Sequence, residues 1–325
     1  MDERIVIVGN GLDLNLGLKT SFFDFKKYLE EQTAKSSKDQ DNWIWMHVMY
    51  MILSDHDVNE FWSDFEANLA QVDVARVSYF FKEQEESWDY DWDEIESVFS
   101  DIIEYIQRSF QQWILSCEQD VESVREQAVF NSNSCFINFN YTNTLEHIYQ
   151  VFRKNIFYIH GNVVEGDKLV WGHNQYKRWG GNIDGASLER FFTPAKFEKI
   201  FNESYLKNTD KQCEMHISEL QKWLRHRSEF RFRKIKEIYI LGHSLGEVDK
   251  LYFQYFAKKL KPKCFWKISY YEGEKRESLE QKSRLAEECG IERYQLCDIN
   301  ILLSELTRCD FKDVTGRGVG FALND

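Results

Sequence analysis

Four short polar segments, each placed directly after an apolar, β-branched run, carry the residue types best suited to chemistry. They span residues 9–13, 138–142, 160–161 and 242–246. The apolar runs predict buried strands, and their alternation with helical patterns predicts a mostly parallel sheet. Because ligands bind outside the carboxyl ends of such strands, the four turns predict one ligand crevice.

The first of these turns is a candidate cradle for a phosphate group. It contains Gly9, Asn10 and Gly11, and Gly17 follows six residues after Gly11. Glycines let the backbone approach a pyrophosphate, and a following helix offers N–H groups and the positive end of its dipole. The spacing departs from the G-x-G-x-x-G of dehydrogenases, because Leu14 stands at the third glycine position. A plain tight turn therefore stays open as the alternative.

The last turn also fits G-x-S-x-G, the nucleophile elbow of α/β-hydrolases, with Ser244 as the nucleophile. That elbow needs a histidine later in the chain, but all eight histidines precede Ser244. The chain order favours a nucleotide-contacting turn made of Gly242, His243 and Ser244. A serine hydrolase is kept as an alternative.

The elements that must position these turns form two patterns. Strands alternating with helices predict an α/β, Rossmann-like, doubly wound sheet in one domain over residues 1–325. Between the first two strands, from about 41 to 127, there is no glycine or proline, and apolar residues recur at helical spacing. This interval predicts an α-helical insertion whose tryptophans form its core. Its acidic residues, Glu66 among them, are interpreted as solvent-facing.

Composition limits the classes of function. The chain has 41 Lys plus Arg against 54 Asp plus Glu, a formal net charge of −13. Because affinity for nucleic acid comes mostly from phosphate neutralisation, general nucleic-acid binding is not expected. No signal-peptide pattern and no run of about 18 apolar residues is present, so we expect no membrane association and a cytoplasmic location. The seven cysteines form no C-x-x-C pair, which predicts reduced thiols and no metal site.

The turns also carry a family resemblance. The segment VGNGLDLNLGLKTSFFDF, which starts at Val8, is similar to the first motif of the AbiH family of phage abortive-infection proteins. The N-Y-T turn, the I-H-G turn and the G-H-S-L strand end of that family have counterparts, in the same order, within residues 136–146, 158–161 and 239–249. The resemblance implies an antiphage defence protein. A homo-oligomeric assembly or a phage-derived trigger is left open as its partner.

The same turns resemble, more remotely, the SIR2 superfamily, whose motifs read G-A-G-x-S-x-x-x-G, T-Q-N-x-D, H-G and G-T-S-L. This resemblance implies a SIR2-like domain that takes NAD or a related nucleotide as substrate, without a metal, and hydrolyses it to nicotinamide and ADP-ribose. It implies catalytic roles for Asn140 and His160. The binding positions that it implies are Gly9, Asn10, Gly11, Asp13, Gly17, Tyr141, Gly161, Gly242, His243 and Ser244.

The implied chemistry suits the residue types. Cleavage of the nicotinamide–ribose bond passes through an oxocarbenium-like state and releases a neutral leaving group, so no strong acid is needed. The Asn140 carboxamide can orient a water or a hydroxyl, and the His160 imidazole can take a proton near neutral pH. The alternatives are a turn-forming asparagine and a strand-end histidine bonded to the backbone.

Two positions depart from the SIR2 motifs. Asp13 stands where those motifs have serine, and Thr142 stands where they have aspartate. A carboxylate beside a phosphate site is unfavourable unless it contacts a ribose or caps the helix. The departures support a second hypothesis, a nucleotide-sensing or partner-binding defence module that does not turn its ligand over.

Overall fold

A six-stranded parallel sheet forms the centre of the molecule. The computed structural model describes residues 4–36, 48–49, 51–52, 65–70, 72–84, 92–124, 129–130, 134–174, 194–227, 230–260, 264–271 and 274–308. The strands of the sheet are β1 (Arg4–Val8), β2 (Ser134–Asn138), β3 (Ile156–Tyr158), β4 (Glu237–Leu241), β5 (Phe265–Tyr270) and β6 (Tyr294–Asp298).

The strand order is β3-β2-β1-β4-β5-β6, and each neighbouring pair is parallel. This is the order of Rossmann folds, in which the chain builds outward from β1 on one side and then returns to build on the other. The predicted Rossmann-like, doubly wound fold is therefore confirmed. A separate antiparallel pair joins Val129–Phe130 to Thr307–Arg308.

Helices connect the strands. Before β2 lie α1 (Gly11–Asn15), α2 (Phe22–Ser36), α3 (Phe65–Asn68), α4 (Val74–Gln84) and α5 (Trp92–Ser123). After β2 lie α6 (Thr144–His147), α7 (Pro194–Ile200), α8 (Cys213–His226), α9 (Lys250–Leu260), α10 (Arg276–Glu288) and α11 (Ile299–Leu306). A π-helical turn, Phe201–Leu206, continues α7.

Strand β1 shows why helices cover both faces of the sheet. Its side chains alternate between the faces, as in any strand. Ile5 and Ile7 pack into a core shared with α8 and α9. Val6 and Val8 pack into a different core, shared with the end of α5, with α6 and with α11. Both faces are therefore apolar and buried, which is what a parallel sheet requires.

A third core lies among the helices that precede β2. Helices α3, α4 and α5 fall inside the predicted insertion and pack with α2, α7 and the π-helical turn. Trp113 is buried there, as predicted, whereas Trp43, Trp45, Trp62 and Trp88 lie outside the described residues. The assignment of the whole chain, 1–325, to one domain stays a prediction.

Candidate functional site

The four predicted turns come together at one edge of the sheet. Val8 pairs in register with both Asn138 and Leu241, which brings the residues that follow these strands side by side. A cavity of about 620 Å³ opens there, beside β1, where the strand order reverses and ligands bind in this fold class. The predicted site residues that line it are Gly9, Asn10, Gly11, Asp13, Asn140, Tyr141, His160, Gly242, His243 and Ser244.

Gly17 and Gly161 do not line this cavity. Gly17 has a φ of +80°, and Gly161 has a φ of +82°. This left-handed backbone favours glycine over every other residue type. The backbone conformation thus accounts for glycine at both positions without a ligand.

The first turn is held by the last one. The amides of Gly9 and Gly11 donate to the carbonyl oxygens of Leu241 and Gly242 at 2.9 and 2.7 Å. A Cβ on Gly9 would lie 2.8 Å from the Cα of His243, closer than real side chains approach. Glycine is needed here because the first turn packs closely against the last turn of the protein itself. These amides are already committed, so the hydrogen bonds of the turn do not support the phosphate-cradle interpretation.

Asp13 is a buried carboxylate in the floor of the cleft. Thr142 Oγ1 donates to Asp13 Oδ2 at 2.6 Å, and Asn140 Nδ2 donates to Asp13 Oδ1 at 3.0 Å. Burial raises the pKa of Asp13 to about 6, and the hydrogen bonds oppose that shift only in part. Within the described part of the chain, Asp13 makes no salt bridge. The two residues that depart from the SIR2 motifs are therefore direct partners.

Three buried polar atoms on cavity-lining side chains have no hydrogen-bond partner among the described residues. They are the Asn140 amide oxygen, the Thr20 hydroxyl and the Tyr271 hydroxyl. Buried polar groups in folded proteins are nearly always paired with protein or with ordered solvent. The cleft therefore offers a ligand one acceptor and two hydroxyl groups.

A second, charged cluster lies at the other side of the cleft. Lys211 Nζ is buried and donates to Glu66 Oε2 at 2.9 Å and to Asp249 Oδ1 at 3.1 Å. Burial lowers the pKa of Lys211, but the charges of Asp249 and Glu66 outweigh burial, and the net pKa is raised. For Asp249, burial raises the pKa, but Lys211, His160 and His243 outweigh it and hold the pKa well below its ordinary value.

His160 belongs to this cluster. Its Nδ1 lies 3.0 Å from the carbonyl oxygen of Phe139, which assigns the proton to Nδ1. Its Nε2 lies 3.4 Å from both Lys211 Nζ and Asp249 Oδ1. Burial, and then the charge of Lys211, lower the pKa of His160. The imidazole is therefore neutral, and its Nε2 faces protein groups. Its ring stacks on that of Tyr141, with 5.4 Å between centroids.

The arrangement around Ser244 is not that of a catalytic triad. Both ring nitrogens of His243 are engaged: Nδ1 accepts from the Leu245 amide at 2.9 Å, and Nε2 lies 3.3 Å from Asp249 Oδ2. Ser244 is exposed, and its Oγ accepts from the Gly246 amide. The residues with a positive φ in this turn are Gly242, at 67°, and Leu245, at 62°, whereas a nucleophile elbow strains the serine itself.

The two walls of the cleft differ in chemistry. The wall formed by α2 and α5 is aromatic, with Phe22, Phe110 and Trp113. The wall formed by α10 is polar and includes Gln281 and Lys282. The first wall suits a planar ring and the second suits polar or anionic groups.

Sequence reasoning missed three residues of the charged cluster. The prediction that Glu66 faces solvent is wrong, because Glu66 is buried and accepts from Lys211. Lys211 lies in no motif, so no local pattern could have indicated it. Asp249 ends the G-H-S-L-G-E-V-D segment, shortly after the fourth turn, which was a usable signal.

Fold and site together define a Rossmann-like α/β protein with a cleft at the reversal of its strand order. The chain belongs to the family described as Bacteriophage abortive infection AbiH, whose model matches residues 5–270. This membership indicates a role in abortive infection, a defence against phage. No curated protein and no solved structure gives a match, and the resemblance to SIR2 proteins stays a prediction.

Among the residues that the structure describes, none of the helices is long and apolar enough to cross a membrane. No group of three or more His, Cys, Asp or Glu side chains in that part of the chain is arranged to hold a metal ion.

Proposed function

We propose that the cleft binds NAD, or a closely related nucleotide, and hydrolyses the bond between nicotinamide and ribose during abortive infection. The observation that carries this proposal is a hydrogen bond from the Asn140 amide nitrogen to Asp13, a buried carboxylate without a salt-bridge partner in the described chain. This bond leaves the amide oxygen of Asn140 unpaired among the described residues. The pair lies at the reversal of strand order, where ligands bind in Rossmann folds.

The reaction suits this electrostatic environment. The nicotinamide–ribose bond breaks with its electron pair going to nicotinamide, which leaves as a neutral molecule. A water oxygen bonds to the ribose carbon, and one proton is released to solvent. Positive charge develops on the ribosyl group during this step. A preorganised negative group beside that charge stabilises the transition state more than bulk water does.

The shape of the cleft supports a nucleotide of this size. Its volume of about 620 Å³ lies within the range of roughly 300–1,000 Å³ that small-molecule sites occupy. We assign the nicotinamide ribosyl group to the floor at Asp13 and Asn140. We assign the phosphates to the polar wall at Lys282. Its ammonium group donates to the Ser269 carbonyl oxygen at 3.0 Å and lies 3.4 Å from Glu274 Oε1, which leaves one of its three N–H donors for a phosphate oxygen.

A specific observation favours a second candidate, a sensor that binds its nucleotide without cleaving it. The Nε2 atom of His160 faces Lys211 and Asp249 inside the protein. An imidazole held in this way positions its neighbours and does not exchange protons with a ligand. In that case the free energy of ligand binding would change the conformation or the assembly of the protein.

The test uses the purified full chain. We expect NAD to yield nicotinamide and ADP-ribose, measured by chromatography, and calorimetry to detect NAD binding. Asn140→Ala is expected to remove turnover while the folded state, checked by circular dichroism, is retained. Binding without turnover would favour the sensor, and an absence of both would refute the proposal.

The same proposal has a consequence in cells. An enzyme that consumes NAD must be restrained before infection, and we assign that restraint to the helical insertion at about 41–127. Infected cells that carry the wild-type protein are expected to lose NAD before lysis, and cells that carry Asn140→Ala are expected to keep it. If both strains keep equal NAD while only the wild type blocks phage, defence does not run through NAD loss.

A further inference from the structure

The orientation of the Asn140 amide follows from its neighbour. A carboxylate only accepts hydrogen bonds, so Asn140 must turn its amide nitrogen to Asp13, at 3.0 Å. The amide oxygen then points away from the carboxylate. That oxygen is buried and unpaired among the described residues, on a side chain that lines the cavity. The group offered to a ligand at this point is therefore an acceptor.

Asp13 itself is held in place from the other side. Thr142 Oγ1 donates to its second oxygen at 2.6 Å, and the Thr144 hydroxyl lies 3.2 Å from that of Thr142. The side chain of Asp13 is 0% exposed. It therefore acts on a ligand through Asn140 and through its electric field, and does not touch the ligand directly.

The field of Asp13 is not cancelled nearby. The carboxylates Glu66 and Asp249 share the ammonium group of Lys211, whereas Asp13 has only neutral hydrogen-bond donors. A charge in a poorly polarisable interior acts more strongly than the same charge in water. The floor of the cleft is therefore favourable for a cation at the position next to Asn140.

We propose that Asp13 is a positioning residue of this cleft. Its carboxylate fixes Asn140 with the amide oxygen presented to the ligand, and its charge selects a cationic N-riboside over a neutral one. This inference rests on the proposed function, because the nicotinamide riboside portion of NAD carries that positive charge.

The groups that titrate near Asp13 determine the control variant. They are Cys117 and Glu118 on α5, and the phenols Tyr149 and Tyr271. Burial raises the pKa of the thiol and of both phenols, so these three stay neutral between pH 5 and pH 8. Burial also raises the pKa of Glu118, to about 7, so Glu118 titrates in the same range as Asp13. Glu118 does not line the cavity, which makes Glu118→Gln the matched control.

The first test measures binding and needs no turnover. Nicotinamide riboside, a cation, and its uncharged dihydro form are titrated into the full chain by calorimetry. We expect the wild type and Glu118→Gln to bind the cation about tenfold more tightly than the uncharged form at pH 7.5, because the field of the Asp13 carboxylate favours the positive charge. The preference is expected to vanish in Asp13→Asn, and in the wild type at pH 5. An equal preference in Asp13→Asn and the wild type, or none in the wild type at pH 7.5, would overturn the proposal.

The second test measures NAD cleavage. Because Asp13 acts by orienting Asn140, Asp13→Asn is expected to lower kcat about 100-fold and to change KM less. Thr142→Val is expected to lower kcat less, with recovery in Thr142→Ser, since serine restores the hydroxyl.

The two tests separate the two proposals. If the wild type cleaves no NAD but prefers the cation through Asp13, the proposed function fails and the role of Asp13 stands. If NAD is cleaved and Asp13→Asn retains both the rate and the preference, the role of Asp13 fails and the proposed function stands.

Discussion

Two buried aspartates that line the same cleft differ in their pKa values, which shift in opposite directions from the ordinary value. Asp13 is surrounded by neutral donors, and burial raises its pKa to about 6. Asp249 contacts the ammonium group of Lys211 at 3.1 Å, and its pKa lies well below the ordinary value despite burial. Both side chains are removed from water, so the difference comes from the neighbours of Asp249: the charge of Lys211 first, and then the contacts with His160 and His243.

This difference separates structural from functional charge. The Asp249 cluster joins α3, the segment before α8 and the start of α9 through Glu66, Lys211 and Asp249. Both of its carboxylates contact the Lys211 ammonium group, as expected for a cluster that holds elements together. Asp13 has no such compensation, and carboxyl groups whose environments push their pKa values apart are typical of reactive sites.

The largest predicted effect concerns the charged cluster of Glu66, Lys211 and Asp249. Lys211→Met removes the ammonium group that the buried carboxylates Glu66 and Asp249 share. We expect a loss of about 3–5 kcal/mol in the free energy of unfolding, measured by urea denaturation at pH 7.5. Lys250→Met, which removes an ion pair at the surface with Glu247 and Glu288, is expected to cost less than about 1 kcal/mol. Equal losses in the two variants would contradict the assignment.

A smaller effect tests whether the glycines serve the fold. A Cβ on Gly11 would meet the Tyr271 hydroxyl and lie 2.7 Å from the Cα of Gly242. Gly11→Ala is therefore expected to destabilise the protein by about 1–3 kcal/mol through overpacking. An added Cβ at Gly17 would have open space, and only the positive φ opposes it. Gly17→Ala is therefore expected to lower the free energy of unfolding by about 1 kcal/mol. Unfolding curves that rank the variants in the reverse order would refute the contact between the turns.

The smallest effect concerns Ser244. Its exposed hydroxyl accepts only a local amide hydrogen bond, so Ser244→Ala is expected to change the unfolding free energy by less than about 0.5 kcal/mol. At least part of the NAD cleavage should remain. Mass spectrometry after treatment with a fluorophosphonate is expected to find no adduct, and stoichiometric labelling of Ser244 would restore the serine-hydrolase alternative.

The fold and the position of the cleft could be predicted from the sequence because their signals are local. A β-branched run such as Ile5–Val8 in β1, followed by a polar turn, specifies a buried parallel strand and its ligand end. The contacts inside the site are not local. Asp13 and Thr142 bond across 129 residues, and Lys211 and Glu66 across 145. A sequence without its fold gives no such pairing, and an acidic helix such as α3 is normally interpreted as solvent-facing.

The two aspartates should also differ in how they link stability to pH. For Asp13 the folded pKa of about 6 exceeds the ordinary value of 3.8, so the bound proton stabilises the folded state at low pH. That stabilisation is lost as the pH rises through about 6. For Asp249 the folded pKa is depressed, so its stabilisation is present at neutral pH and is lost as the pH falls. Amide substitutions should therefore have opposite effects at pH 7.5.

The most direct test compares the unfolding free energies of wild type and Asp13→Asn between pH 4 and pH 8. The amide resembles the protonated carboxyl, so the two proteins should be equally stable near pH 4. Above pH 6 Asp13→Asn should be more stable, by up to about 3 kcal/mol, as the shift in pKa requires. Asp249→Asn, the matched variant, should be less stable than the wild type at pH 7.5. A stability difference between Asp13→Asn and the wild type that does not change with pH would contradict the claim that Asp13 is an uncompensated carboxylate.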